Sequence, residues 1–159
     1  FSMSQASFAW CCQEVFSFKK KEKFYKLYYY KESYGKLVDK YEVRSYVENK
    51  IGKEYLNDFF GVYDSVDSID FNSLPNQFVL KGTHGSGYNI IVKNKNELNI
   101  NKTKKKLRQF LNSNYYYKFR EIIYKEVKPR ILVEKYISEI DNDSLIDYKF
   151  HWYLKYQLN

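Results

Sequence analysis

A lysine, a histidine and a serine are strung among three glycines in the run Lys81, Gly82, Thr83, His84, Gly85, Ser86, Gly87. Residues of these types at this spacing suit three tasks. They can hold a phosphate group, present a catalytic histidine on a tight turn, or simply close a hairpin. Their order narrows the choice. In a P-loop the lysine follows the last glycine and opens a helix; here Lys81 precedes the glycines and the β-rich "YNIIV" follows them. The dinucleotide-binding fingerprint also demands a helix after its glycines. A nucleophile elbow requires G-x-S-x-G, whereas Ser86 directly follows Gly85. What remains is a flap of strand, glycine turn and strand with a lysine at its base. Glycines let backbone N–H groups close in on a phosphate as an anion nest, and a lysine ammonium adds a point charge for its oxygens. On these residues alone, a phosphate-covering flap and a plain hairpin with Lys81 in solvent both stay open.

Two stretches further along place polar groups where strands are expected. "ILVEKYI", Ile131 to Ile137, is an apolar strand that carries Glu134 and Lys135. A strand backbone at such a point can pair with the edge of an adenine ring, and a carboxylate beside it can accept from the amino group. In "DYKF", Asp147 and Lys149 alternate with Tyr148 and Phe150. That alternation turns the polar pair toward a ligand and the aromatics toward a core.

The elements that must position these residues are legible from Asp39 onward. Asp39 is placed to cap a helix whose Val43, Tyr46, Val47 and Ile51 fall on one face, with Gly52 at its end. "EYLNDFFGVYDS" runs into a short strand, and "VDSIDFNSLP" reads as a polar connector. "QFVLK" and "YNIIV" are strands on either side of the glycine turn. Leu107, Phe110 and Leu111 mark a helix face, which makes the neighbouring "KTKKK" a solvated face. Pro129 opens the "ILVEKYI" strand, "EIDNDS" is a turn, and "LIDYKFHWYL" is a further strand. Three segments follow: a basic, aromatic stretch without clear period at 1–38, a helix and connector at 39–74, and a ligand-binding unit at 75–159.

The chain's 159 residues, 44% of them apolar, suit a globular domain with a real core. Its net charge of +8 points to an anionic partner such as a nucleotide, a nucleic acid or a lipid headgroup. Cys11 and Cys12 are adjacent, a spacing at which cysteines rarely bridge, so a reduced, cytoplasmic chain is expected. No apolar run approaches the roughly 20 residues of a membrane span. The first lysines follow the amino-terminal apolar stretch, the wrong order for a signal peptide.

Taken together, "DKYEVRSYV", "LPNQFVLKGTHGSG", "PRILVEKYI" and "DYKF" resemble, in order, elements of the ATP-grasp superfamily. The likeness is nearest to its teichuronopeptide-biosynthesis branch, whose members occur among polysaccharide genes and often carry a glycosyltransferase label. The resemblance implies an α+β fold of antiparallel sheets with flanking helices. It implies that Lys40 reaches the nucleotide phosphates, that Lys81 holds the α- and β-phosphates, and that His84, Gly85, Ser86 and Gly87 form the covering flap. Glu134, Lys135 and Tyr136 would be the hinge that reads adenine, with Glu134 near the amino group, and Asp147 would meet the ribose. His84 is left open between a donor to a phosphate or acyl group and a turn residue.

ATP is the implied cofactor, with Mg²⁺ expected in intact relatives on carboxylates and an asparagine beyond the hinge. "HWYLKYQLN" offers no acidic residue, so no Mg²⁺ ligand is legible, and the chain is expected to be a fragment lacking the carboxy-terminal catalytic region. The implied activity of intact relatives is ATP-dependent carboxylate–amine ligation in cell-surface polysaccharide synthesis, on a carboxylate- or sugar-containing acceptor. Two alternatives stand beside it: a glycosyltransferase of the same pathway, and a basic nucleic-acid-binding module using "KTKKK" and stacked aromatics.

Overall fold

The computed structural model describes residues 28–137, together with Phe24 and Lys26. Cys11, Cys12, Asp147, the expected turn at 139–144 and the expected strand at 145–154 lie outside the described residues. None of the described helices is long and apolar enough to cross a membrane.

A short helix, α1 (Gly35–Val38), leads to Asp39. The Asp39 carboxylate Oδ1 accepts from the backbone N–H of Tyr41 at 2.8 Å and of Glu42 at 3.2 Å, the capping role expected of it. Helix α2 (Glu42–Ile51) follows and stops at Gly52, whose φ of 112° favours glycine. The apolar face expected on α2 is not a core face: Tyr46 is 52% exposed and Ile51 59%. The side that matters instead carries Tyr41 and Arg44, which turn toward the sheet.

Strand β1 (Phe59–Tyr63) precedes the segment expected to be a polar connector. That expectation is overturned, because Val66, Ile69, Phe71 and Leu74 are all buried in the main core. Apolar residues recur here every two or three positions around a single 3₁₀ turn, while Asp67, Ser68, Asp70, Asn72 and Ser73 stay outside. A polar average had hidden an inward-facing row. The Lys95 ammonium fastens the segment by donating to the carbonyls of Asn72 at 3.0 Å and Leu74 at 2.6 Å.

Strands β2 (Phe78–Gly82) and β3 (Asn89–Val92) form the hairpin around the glycine turn. Helix α3 (Ile100–Leu111) follows, with Asn99 capping it by accepting from the Lys102 N–H at 2.9 Å. It buries Thr103, Leu107 and Phe110 and carries Lys102, Lys105 and Lys106 outside, the solvated face expected of "KTKKK". Helix α4 (Tyr115–Phe119) is capped by Asn114 and ends at Arg120 in the left-handed region, φ 59°. Strand β4 (Ile131–Lys135) closes the sheet, whose order is β1-β4-β2-β3 with every pair antiparallel. Helices and one antiparallel sheet make this an α+β fold.

The two-residue period of the strands gives the sheet two different faces. Phe78, Leu80, Ile131, Val133 and Val92 point to the face covered by Leu107 and Phe110 of α3. Burying each of these large side chains stabilises the fold by about 1.5–3 kcal/mol. Val79, Lys81, Leu132, Glu134, Asn89 and Ile91 point the other way. There Leu132 is fully buried and Ile91 is 60% exposed. The second face is therefore covered over β4, on the side of α2, and open over β3. That half-open face is where a ligand has access to strand side chains.

Candidate functional site

On the half-open face, Val79 pairs across the sheet with Glu134 and Lys81 with Leu132. Lys81 and Glu134 therefore sit on one face at a diagonal. The Lys81 ammonium lies 2.6 Å from Glu134 Oε2, and the Arg44 guanidinium lies 3.4 Å from Oε1 of the same carboxylate. Glu134 is 7% exposed, and the cations at its two oxygens offset the cost of burying its charge. Arg44 also donates to the Asn57 carbonyl and stacks its guanidinium over Phe59, 4.7 Å from the ring centre. It was missed in the sequence. Nothing in the local pattern marked it, because its partners Asn57, Phe59 and Glu134 are distant in sequence.

Lys40 stands over the glycine turn. Its ammonium donates to the carbonyls of Gly82, at 3.0 Å, and of Gly85, while its N–H donates to Thr83 O at 3.2 Å. Burial, and next the charge of Lys81, lower the Lys40 pKa, against the pull of Asp39 and Glu134. The base of this arrangement is braced by Arg130. It donates to Asp39 at 2.9 Å and Glu42 at 2.8 Å, and its carbonyl receives the Thr83 N–H at 2.9 Å. Lys81 and Arg44 thus meet on one carboxylate, and Lys40 stands beside them on the carbonyls of the turn, a cluster of cations suited to an anion.

The turn itself requires its glycines for two different reasons. A Cβ on Gly85 would lie 2.7 Å from Tyr88 and 2.8 Å from Tyr115, so any side chain there would force the aromatic packing apart. Gly87 has open space around it but a φ of 75°, the region other residues rarely adopt. Ser86 and Gly87 are exposed at the tip.

His84 lies at the same turn but points inward. It is 2% exposed, packs on Tyr88, and has Nε2 2.8 Å from the Phe110 carbonyl oxygen. A carbonyl only accepts, so Nε2 carries the proton and Nδ1 is the bare lone pair, buried with no partner among the described residues. Of the two roles left open for His84, the geometry supplies the anchoring one: it ties the turn to the end of α3. Burial pushes the imidazole below its ordinary value of 6.5, outweighing the carbonyls of Phe110 and Ser113 and acting with the Lys40 charge. As pH falls below 6.5, the unfolded chain takes up a proton that the folded imidazole resists. Stability should accordingly decline with falling pH, starting near neutrality and continuing until the folded imidazole itself is protonated. His84→Gln, which keeps a donor, should flatten that slope between about pH 7 and 5 in denaturant melts; an unchanged slope would contradict this account.

At the other end of Lys81, a cavity of about 170 Å³ is lined by Asn57, Val79, Lys81, Ile91, Tyr136 and Ile137, among others. It is smaller than the roughly 300 Å³ at which whole small-molecule pockets begin, so it suits one part of a larger ligand. Its apolar walls fit the faces of a planar ring. The Lys135 N–H donates to Asp58 O at 2.9 Å, and its carbonyl receives the Asn57 side-chain amide at 2.9 Å. Of the candidate residues, Lys40, Lys81 and Glu134 lie together beside the glycine turn Gly85–Gly87, Lys81, Lys135 and Tyr136 line the cavity, and His84 is turned away into the core. The described residues do not furnish the Mg²⁺ site that the resemblance implies: among them no group of three or more His, Cys, Asp or Glu could hold a metal.

A family model described as TupA-like ATPgrasp matches residues 20–158 of the chain. No curated protein and no solved structure matches it.

Proposed function

From the premise that the chain belongs to the TupA-like ATP-grasp family, whose members are nucleotide-binding proteins, we propose that the half-open sheet face binds ATP. The base enters the cavity beside Tyr136 and Ile137, and the phosphates lie along Lys81 beneath the glycine turn. The observation that supports this reading most is the pairing of Lys81 and Arg44 on Glu134 beside Lys40, which is bonded to a glycine turn with no room for a side chain at Gly85. Lys81 binds the α- and β-phosphate oxygens as a point charge. Lys40 leaves the carbonyls of Gly82 and Gly85 for a phosphate, which frees the turn to settle over the nucleotide and exclude water. The fixed lysine charges then favour the transferring phosphoryl group more than its ground state.

The reaction class that fits the family is ligation in cell-surface polysaccharide synthesis. ATP supplies a phosphoryl group to a carboxylate oxygen of the acceptor and leaves as ADP. An amine nitrogen then attacks the acyl carbon, phosphate departs, and the amine loses its proton. The test of the nucleotide site is titration with a nonhydrolysable ATP analogue. Saturable one-site binding is expected, and it should survive neutralising Lys102, Lys105 and Lys106 together. Loss of binding in that triple variant would instead support an interface for polyanions along α3.

A further inference from the structure

Glu134 is the carboxylate at the hinge, yet its oxygens are committed to Lys81 at 2.6 Å and Arg44 at 3.4 Å. It does not line the cavity at the strand end, and Asn57 does. The Asn57 amide is oriented without ambiguity. Its partner, the Lys135 carbonyl 2.9 Å away, only accepts, so Nδ2 faces the hinge and Oδ1 is the remaining acceptor. No described residue donates to that oxygen. Arg44 in turn donates to the backbone carbonyl of Asn57, fixing the loop that carries it.

We propose that Asn57, not Glu134, discriminates the base. Its Oδ1 accepts from the amino group at the purine 6-position and repels a carbonyl oxygen there. Glu134 serves to hold Lys81 and Arg44 in place. This rests on the nucleotide reading above and adds to it a residue far from the hinge in sequence. A site that offers one acceptor to a ligand's amino group discriminates against the analogue lacking it, because both acceptors are then left facing each other.

The experiment compares ATP with inosine triphosphate, which carries oxygen in place of the 6-amino group, by calorimetric titration of the whole chain. Wild type should prefer ATP. In Asn57→Leu, and in the milder Asn57→Ala, ATP should bind roughly tenfold more weakly. Inosine triphosphate should bind no worse, so the preference shrinks or disappears. The two variants guard against a folding defect in either one. If both kept the wild-type preference, or if Glu134→Gln alone removed it, Asn57 would not be the discriminating residue, while the nucleotide site would stand. If wild type bound neither triphosphate, the nucleotide reading would fall and this proposal with it.

Discussion

Lys81→Met is expected to weaken binding of an ATP analogue by roughly 10- to 100-fold while leaving the chain folded. The magnitude follows from the bond lost: a hydrogen bond to a charged group contributes about 1.5–3 kcal/mol, and each 1.4 kcal/mol is tenfold in affinity. Methionine keeps the length and apolar stem, so the change isolates the ammonium. The fold should tolerate it because the Lys81 side chain is 31% exposed and Glu134 retains Arg44. The loss should be steepest for triphosphate and diphosphate and slight for adenosine, since Lys81 is assigned to the phosphates. Equal losses for all three ligands would place Lys81 at the base instead.

Glu134→Ala should be costly in a different way. Removing this carboxylate leaves the Lys81 ammonium and the Arg44 guanidinium, whose side chain is 14% exposed, facing each other without an anion. Breaking a buried pair by deleting one partner costs about 3–5 kcal/mol. Here the lower end, about 3 kcal/mol, is appropriate because water reaches Lys81. For a chain of this size that corresponds to a melting temperature lower by roughly 6–12 °C. Nucleotide binding should weaken as well, since Lys81 loses the partner that aims it. Glu134→Gln, which still offers one oxygen, should lie between the two. A Glu134→Ala protein that melted like wild type would mean that the ion pairs contribute nothing to the fold, and the positioning role given to Glu134 would be lost.

The strands at 78–82, 89–92 and 131–135 were readable because apolar β-formers sit between clear breakers, with glycines at one junction and Pro129 at another. Helix α3 was readable because Leu107 and Phe110 fall on one side while the lysines fall on the other. The segment from Val66 to Leu74 was misread because its composition is polar; only the positions of its four apolar residues disclose that it belongs to the core. Helix α2 was read correctly in its place, its Asp39 cap and its end at Gly52, but not in how it is held. Its apolar residues have helical spacing, but the helix is anchored through the charged and aromatic side chains of Arg44 and Tyr41, and a pattern of hydrophobicity cannot register that.

At the site, local order did most of the work. Lys81 before glycines, with a strand following, excluded the helix-opening loops, and Glu134 stood out as a charge inside an apolar strand. The partnerships were invisible. Arg44 and Glu134 are 90 residues apart, and Asn57 and Lys135 are 78 apart. Each pair forms only because β1 and α2 come to rest beside β4. The two possible fates of His84 were likewise a matter of which way the turn folds, decided by the nearness of Phe110.

The most direct test of the central claim is amide hydrogen exchange with and without a saturating nonhydrolysable ATP analogue. Ligand should slow exchange at 82–88 in the glycine turn and at 135–137 in the hinge, with α3 unchanged. Protection confined to α3, or none at either the turn or the hinge, would contradict the assignment of this face as the nucleotide site.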